Sequence, residues 1–315
     1  MRILITGCAG FIGSHLCEHF LNLEVEVTGI DNFITGNKKN VELLQKYKNF
    51  KFLEFDVCNN LELSEKYDII YHLASPASPK HYYKYQLETM LVNSHGTKNL
   101  LEKAKRDNSI FVFASTSEVY GDPLVHPQKE DYNGNVNPLG ERSVYDESKR
   151  FGEALCMVFF RKFDLDVRIA RIFNTYGPRM GIDDGRVIPN FIVQALRNLP
   201  LTIYGDGNQT RSFCYVDDMI EALKRIGTMS NLRGEVINLG NPYEIKIIEL
   251  AEIIEKLINK KLEKNFLPLP KDDPQKRCPD IEKARKILNW EPRVKLEEGV
   301  LKTFQYFKEA LNEGF

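Results

Sequence analysis

Short apolar runs alternate along the chain with longer stretches whose apolar residues recur every three to four positions. Residues 2–6, 25–30, 50–55, 69–73, 110–114 and 167–172 are rich in Val, Ile, Leu and Phe, as strands are when both faces of a sheet are covered. Residues 11–21, between the first two runs, carry the helical period instead. Strands alternating with helices in this way predict parallel strands joined by crossover helices, an α/β doubly wound sheet.

The texture changes after Asn174, where Pro178, Gly181, Asp183, Asp184 and Gly185 punctuate a loop-rich stretch ahead of an amphipathic segment at 187–199. We therefore expect a main domain over 1–174 and a smaller mixed α/β lobe over 175–315. The division is not strictly contiguous, because Val236-Ile237-Asn238-Leu239 reads as a buried strand returning to the main sheet before a helix at 247–258. The basic stretch 256–264 reads as a solvated helix end.

At 315 residues the chain is long enough for a sizeable core, and 43 Lys and Arg against 44 Asp and Glu give no general attraction to nucleic acid or a membrane surface. Cys8, Cys17, Cys58, Cys156, Cys214 and Cys278 lie far apart without a C-x-x-C pair, which points away from a disulfide framework or zinc knuckle and toward a reduced, cytoplasmic setting. No signal-like or membrane-spanning apolar run is present. The six histidines show no ligand-like clustering beyond His15 and His19 at helical spacing, so no metal is expected.

Gly7, Gly10 and Gly13 follow the first strand and open the first helix. Such a G-x-x-G-x-x-G turn, with Phe11 and Ile12 inside it, lets backbone N–H groups approach a pyrophosphate at the helix N-terminus, the signature of a Rossmann-type sheet. The plain alternative is a tight turn. Asp31, at the end of the second strand, can accept hydrogen bonds from an adenosine ribose and repel a 2′-phosphate, favouring NAD over NADP; otherwise it caps a loop. Asn32, then Asp56 and Val57 after the third strand, and Leu73, Ala74 and Ser75 after the fourth, are further candidate cofactor contacts.

Tyr145 and Lys149 stand four apart, on one face of a helix. A neighbouring ammonium and a positive nicotinamide would lower the phenol from its usual value near 10, making a general base for a sugar hydroxyl. Y-x-x-x-K alone commonly marks an ordinary helix surface; beside the glycine turn it reads as catalytic. The run Phe111 to Gly121 is a strand ending in Ser115, Thr116, Ser117 and Glu118, at the carboxyl edge where ligands bind open parallel sheets. Thr116 is placed to hydrogen-bond the reacting oxygen and Glu118 to face the substrate, unless the hydroxyls only satisfy loop backbone.

With these motifs in place, the chain resembles the extended short-chain dehydrogenase/reductase family, and within it the branch that decarboxylates UDP-glucuronate to UDP-xylose. The likeness runs from Met1 to about Tyr306. It is carried by His72-Leu73-Ala74-Ser75-Pro76-Ala77-Ser78-Pro79, the run from Ser115 to Asp122, the run from Arg168 to Met180 with Asn174-Thr175-Tyr176-Gly177-Pro178-Arg179 in it, and the run from Tyr204 to Val216 with Gly205-Asp206-Gly207-Asn208-Gln209-Thr210-Arg211-Ser212-Phe213 in it. The resemblance implies NAD as cofactor, a UDP-sugar substrate, and a homodimer built on the helix bearing Tyr145 and on residues 88–105, with Met90, Leu100, Leu101 and Leu155 as its apolar candidates.

Arg211 and Arg277 suit capture of phosphate or carboxylate, since planar guanidiniums pair bidentately with both. By resemblance Arg211 sits near the diphosphate, while Arg277, in the segment Asp272-Asp273-Pro274-Gln275-Lys276-Arg277, reaches the uronate end; each is otherwise a surface ion-pair partner. Ser117, Asn174 and Arg186 are further sugar-nucleotide contacts, with Tyr204 near the uracil. Tyr82 either contacts the sugar or packs. Glu118 is implied to position the sugar or a proton-delivering water.

Related 4,6-dehydratases carry Thr-Asp-Glu where this chain has Thr116-Ser117-Glu118, and related 4-epimerases usually lack the glutamate. Decarboxylation falls between them, because oxidation at C4 places the C6 carboxylate β to a ketone and carbon dioxide leaves without a strong base at C5. A closed cycle that returns the C4 hydrogen is favoured over release of a 4-keto-pentose and NADH. A different epimerase or dehydratase activity, or a non-catalytic NAD-binding scaffold, are the remaining readings.

Overall fold

A computed structural model describes residues 1–269 and 276–312; residues 272–275 of the Arg277 segment lie outside the described residues. Six apolar runs form the strands β1 (Arg2–Thr6), β2 (Glu26–Asp31), β3 (Phe50–Glu54), β4 (Ile69–His72), β5 (Ile110–Thr116) and β6 (Val167–Ile172). With the strand Val236–Leu239 they make one seven-stranded sheet in the order Val236–Leu239, β6, β5, β4, β1, β2, β3. Every pairing in it is parallel.

The apolar runs are continuous because successive side chains feed two different cores. Ile3, Ile5, Ile69, Tyr71 and Val112 point into one cluster. Leu4, Ile70, Phe111 and Phe113 point into the other. Helix α1 (Phe11–Asn22) covers the first face with Leu16, Cys17 and Phe20, and the helix Ser143–Phe163 covers the second with Cys156 and Phe159. That second helix lies close to β5: a Cβ at Gly152 would stand 2.4 Å from the Phe113 ring.

The chain runs β1, β2, β3 to one side and then returns to lay β4 beside β1. The strand order therefore reverses between β1 and β4, and the crevice beyond their carboxyl ends is where such sheets take ligands. Val236–Leu239 pairs with β6 in register Val236 to Ile169, so a segment late in the chain completes the sheet edge. The amphipathic segment expected at 187–199 is the helix Val187–Leu196; Asn198 at φ +54° and Pro200 end it early.

A smaller mixed lobe follows. Leu201–Tyr204 pairs in parallel with Lys264–Leu267, and Thr210–Ser212 lies between antiparallel Glu244–Lys246 and parallel Lys276–Arg277. The last pairing sets Arg277 opposite Arg211. The basic stretch at 256–264 is not merely solvated, since Lys261 and Lys264 both pair with the buried Glu255. All six cysteines are free. Among the described residues no helix is long and apolar enough to cross a membrane.

Candidate active site

The glycine turn is shaped for close approach. Gly7 adopts φ +75°, and a Cβ there would stand 2.8 Å from the backbone of Leu73 and Ala74. A Cβ at Gly13 would stand 2.0 Å from the Gly7 carbonyl oxygen, so helix and turn touch backbone to backbone. Gly10 caps α1 without a side-chain hydrogen bond, and the first turn holds no acidic residue. Its N–H groups are thus left to an external acceptor, with the helix dipole favouring an anion.

Asp31 is buried and braces this turn, its oxygens accepting from the Ala9 N–H at 3.0 Å and the Phe33 N–H at 2.8 Å. Burial raises its pKa against those hydrogen bonds. Gly36 packs on it, leaving 2.7 Å between a Cβ there and Asp31 Oδ1. Asn32 donates to Asp56 at 3.2 Å, and Asp56 also accepts from Cys58 N–H. Val57 is core.

A cavity of about 1050 Å³ opens beyond the sheet's carboxyl edge. Gly7, Gly10, Phe11, Ile12, Gly13, Leu73 and Ser75 line it together with Thr116, Ser117, Glu118, Tyr145 and Lys149. Tyr82, Asn174, Arg186, Tyr204, Arg211 and Arg277 also line it. Asp31, Asn32, Asp56, Val57 and Ala74 are absent from its wall, where residues 35–38 stand instead. That loop carries no motif beyond its glycine and polar residues, which is why sequence reasoning passed over it.

Tyr145 stands in the first turn of the Ser143–Phe163 helix, 6 % exposed, near enough to Thr116 for that hydroxyl to lower the phenol's pKa; Thr116 itself accepts from the Glu118 N–H at 3.2 Å. Burial drives the phenol well above its ordinary value, with Thr116 opposing. Lys149 donates to the Ala114 carbonyl at 2.8 Å and lies 5.9 Å from the Tyr145 ring centroid. Burial lowers it to about 7. The expected lowering of the phenol calls for a positive nicotinamide as well as the ammonium; in the protein alone, burial outweighs the groups that lower it.

Glu118 faces its own protein. Its carboxylate is gripped bidentately by Arg277, with one oxygen 2.9 Å from Nη2, and accepts from Arg142 Nη2 at 2.5 Å. Burial opposes its charge, yet Arg277 and Arg142 hold it down at about 2. Arg277 is 5 % exposed, which removes its surface reading. Arg142 escaped the sequence analysis; its position three residues before Tyr145, on the same helical turn, was the available signal.

Tyr82 is buried and stacks on Tyr145 with centroids 5.1 Å apart and rings 6° from parallel. Its hydroxyl has no hydrogen-bond partner among the described residues. Arg186 pairs bidentately with Asp184, Arg211 donates to the Thr210 carbonyl, and Tyr204 is 41 % exposed.

Residues 3–240 match the NAD dependent epimerase/dehydratase family. UDP-glucuronic acid decarboxylase 1 of Danio rerio is 50 % identical over 310 residues, covering 98 % of this chain and 73 % of its own. UDP-glucuronic acid decarboxylase 6 of Arabidopsis thaliana is 51 % identical over 302 residues, covering 95 % and 87 %. Among solved structures, a variant of UDP-glucuronic acid 4-epimerase from Bacillus cereus, in complex with UDP-4-deoxy-4-fluoro-glucuronic acid and NAD, superposes with a TM-score of 0.89 at 35 % identity over 98 % of this chain and 100 % of that one. UDP-glucose 4-epimerase of Thermotoga maritima with UDP-glucose gives 0.90 at 29 % identity over 99 % and 100 %. An open glycine turn, a buried Thr–Tyr pair and a full-length likeness converge: this chain belongs to the NAD dependent epimerase/dehydratase family.

Proposed function

We propose that the chain decarboxylates UDP-glucuronate to UDP-xylose, with NAD on the glycine turn and 1–174 and 175–315 dividing cofactor and substrate binding between them. One observation carries this reading: a single cavity joins the Tyr145–Thr116 pair to Glu118 with its two arginines. The decarboxylases that are about half identical over nearly the whole chain support it.

The residues that would hold NAD fit it, since the turn is a cradle that any Cβ would fill and its helix end is uncapped. Bound there, NAD supplies a reversible acceptor for the C4 hydrogen and, when oxidised, the positive charge that the buried phenol lacks. Tyr145, having released its own proton to solvent, then takes the proton of the C4 hydroxyl, with Lys149 charged below about pH 7. The C6 carboxylate becomes β to a ketone and leaves as carbon dioxide. Thr116 and Tyr145 hydrogen-bond the C4 oxygen as negative charge gathers on it, a stabilisation of the oxyanion kind. Arg277 and Arg142 orient the carboxylate, and Glu118 holds their guanidiniums in place. C5 gains a proton, and return of the C4 hydrogen completes UDP-xylose.

Asp31 lies under the 35–38 loop at the ribose end, with Asn32 and Asp56 beside it; Arg211, Asn174 and Tyr204 line the nucleotide arm. We assign the chain to a reduced compartment, consistent with its free cysteines, and to a dimer through Leu87, Met90, Phe151 and Val158, which are exposed. Leu100 and Leu101 are fully buried in the chain's own core and leave that surface. Incubation with UDP-glucuronate and substoichiometric NAD tests the reaction: UDP-xylose and carbon dioxide should form without accumulation of NADH. UDP-galacturonate, or one NADH per turnover, would overturn it.

A further inference from the structure

Asp146 follows the catalytic tyrosine and has no part in the steps above. It is 4 % exposed and does not line the cavity. Its Oδ1 is buried without a hydrogen-bond partner among the described residues, an arrangement that costs an ionised carboxylate far more than a neutral carboxyl. The charged groups acting on it come from three elements: Glu118 from the turn after β5, Arg142 and Glu147 from its own helical segment, and Arg277 from the strand Lys276–Arg277. The phenols of Tyr82, Tyr83 and Tyr145 also feel it. Asp146 stands four residues after Arg142, its N–H donating to the Arg142 carbonyl at 3.1 Å, on the helical face of the guanidinium that pairs with Glu118, and so adjoins the wall proposed to receive an anionic substrate group.

We propose that Asp146 is a positioning residue that stays neutral so that the Glu118–Arg142–Arg277 wall accepts a sugar carboxylate, and that its ionisation weakens uronate binding selectively. The inference rests on the proposed function. Each proton lost from Asp146 adds a negative charge behind the two guanidiniums, repelling a carboxylate and leaving a neutral sugar nearly untouched. Burial first, and Glu118 second, raise its pKa to about 8, against Arg142 and Arg277. Asp146 is thus protonated below that value and charged above it. If only the neutral form is competent, affinity falls roughly tenfold between pH 7 and pH 9. By linkage, binding a uronate above pH 8 draws a proton onto the protein.

The test uses the NAD-loaded Tyr145→Phe protein, in which turnover is blocked, with UDP-glucuronate and UDP-glucose titrated calorimetrically from pH 6.5 to 9.5 in buffers of different ionisation enthalpy. UDP-glucuronate should lose affinity with an apparent pKa near 8 and take up a fraction of a proton, while UDP-glucose does neither. Adding Asp146→Asn should flatten the uronate profile to about a twofold change, and in the otherwise wild-type enzyme the same substitution should flatten KM against pH. A uronate profile that persists in Asp146→Asn, or is shared by UDP-glucose, would overturn the proposal. So would absence of proton uptake in the Tyr145→Phe protein, which needs no change at Asp146. Selective, pH-dependent uronate binding without carbon dioxide release by wild type would strike the decarboxylase reading and leave this one standing.

Discussion

Tyr145 is buried, and burial raises its phenol above the ordinary value, so its usefulness depends on what binds beside it. Tyr145→Phe should lower kcat by about 10²–10⁴-fold, the usual worth of a general acid–base group, with NAD affinity kept; rate and titration measured together check both. Glu118 gives a second expectation. Glu118→Gln removes the counter-charge of the buried Arg277 guanidinium and should cost about 3–5 kcal/mol in urea unfolding at pH 7. Because Glu118 is held at about 2 against an ordinary 4.5, its contribution is complete above pH 4.5 and disappears as pH falls toward 2. The variant should lack that acid-limb component; unchanged acid unfolding would remove the clamp's role. The sequence exposed Glu118, Tyr145 and Arg277 as chemical types at suggestive spacings. It did not expose Arg142 or the partnering of Glu118, because ion pairs between residues 118 and 277 arise only through the tertiary fold.

At the scale of elements, the glycine turn makes the sharpest demand. A Cβ at Gly13 would sit 2.0 Å from a backbone carbonyl that cannot move without shifting β1, so Gly13→Ala should abolish NAD binding and lower the thermal midpoint. A variant that binds NAD normally would show that the turn is looser than described. Strands were legible because burial on both faces writes them as unbroken apolar runs: β1 and β6 span 2–6 and 167–172 as read. The run read as ending at residue 114 continues to Thr116, since Ser115 and Thr116 pair with Arg171 and Ile172 despite their polarity. Leu100 and Leu101 looked available for an interface because helical period marks an apolar face without saying which neighbour covers it.

For the whole molecule, the parallel sheet and its late-returning strand were legible in the alternation of runs, whereas the cavity was not. Its walls come from residues as distant as Gly7 and Arg277, and only the assembled sheet and lobe bring them together. The exposed Phe151 and Val158, seven apart on one helix, lead us to expect a dimer on size-exclusion chromatography and a monomer for Phe151→Glu; a wild-type monomer would contradict it. The most direct test of the account is turnover of UDP-glucuronate with NAD in deuterium oxide, read by proton NMR of the nucleotide sugar. The account predicts UDP-xylose carrying one deuterium at C5 and its original hydrogen at C4. Deuterium at C4, or a six-carbon uronate product, would contradict it.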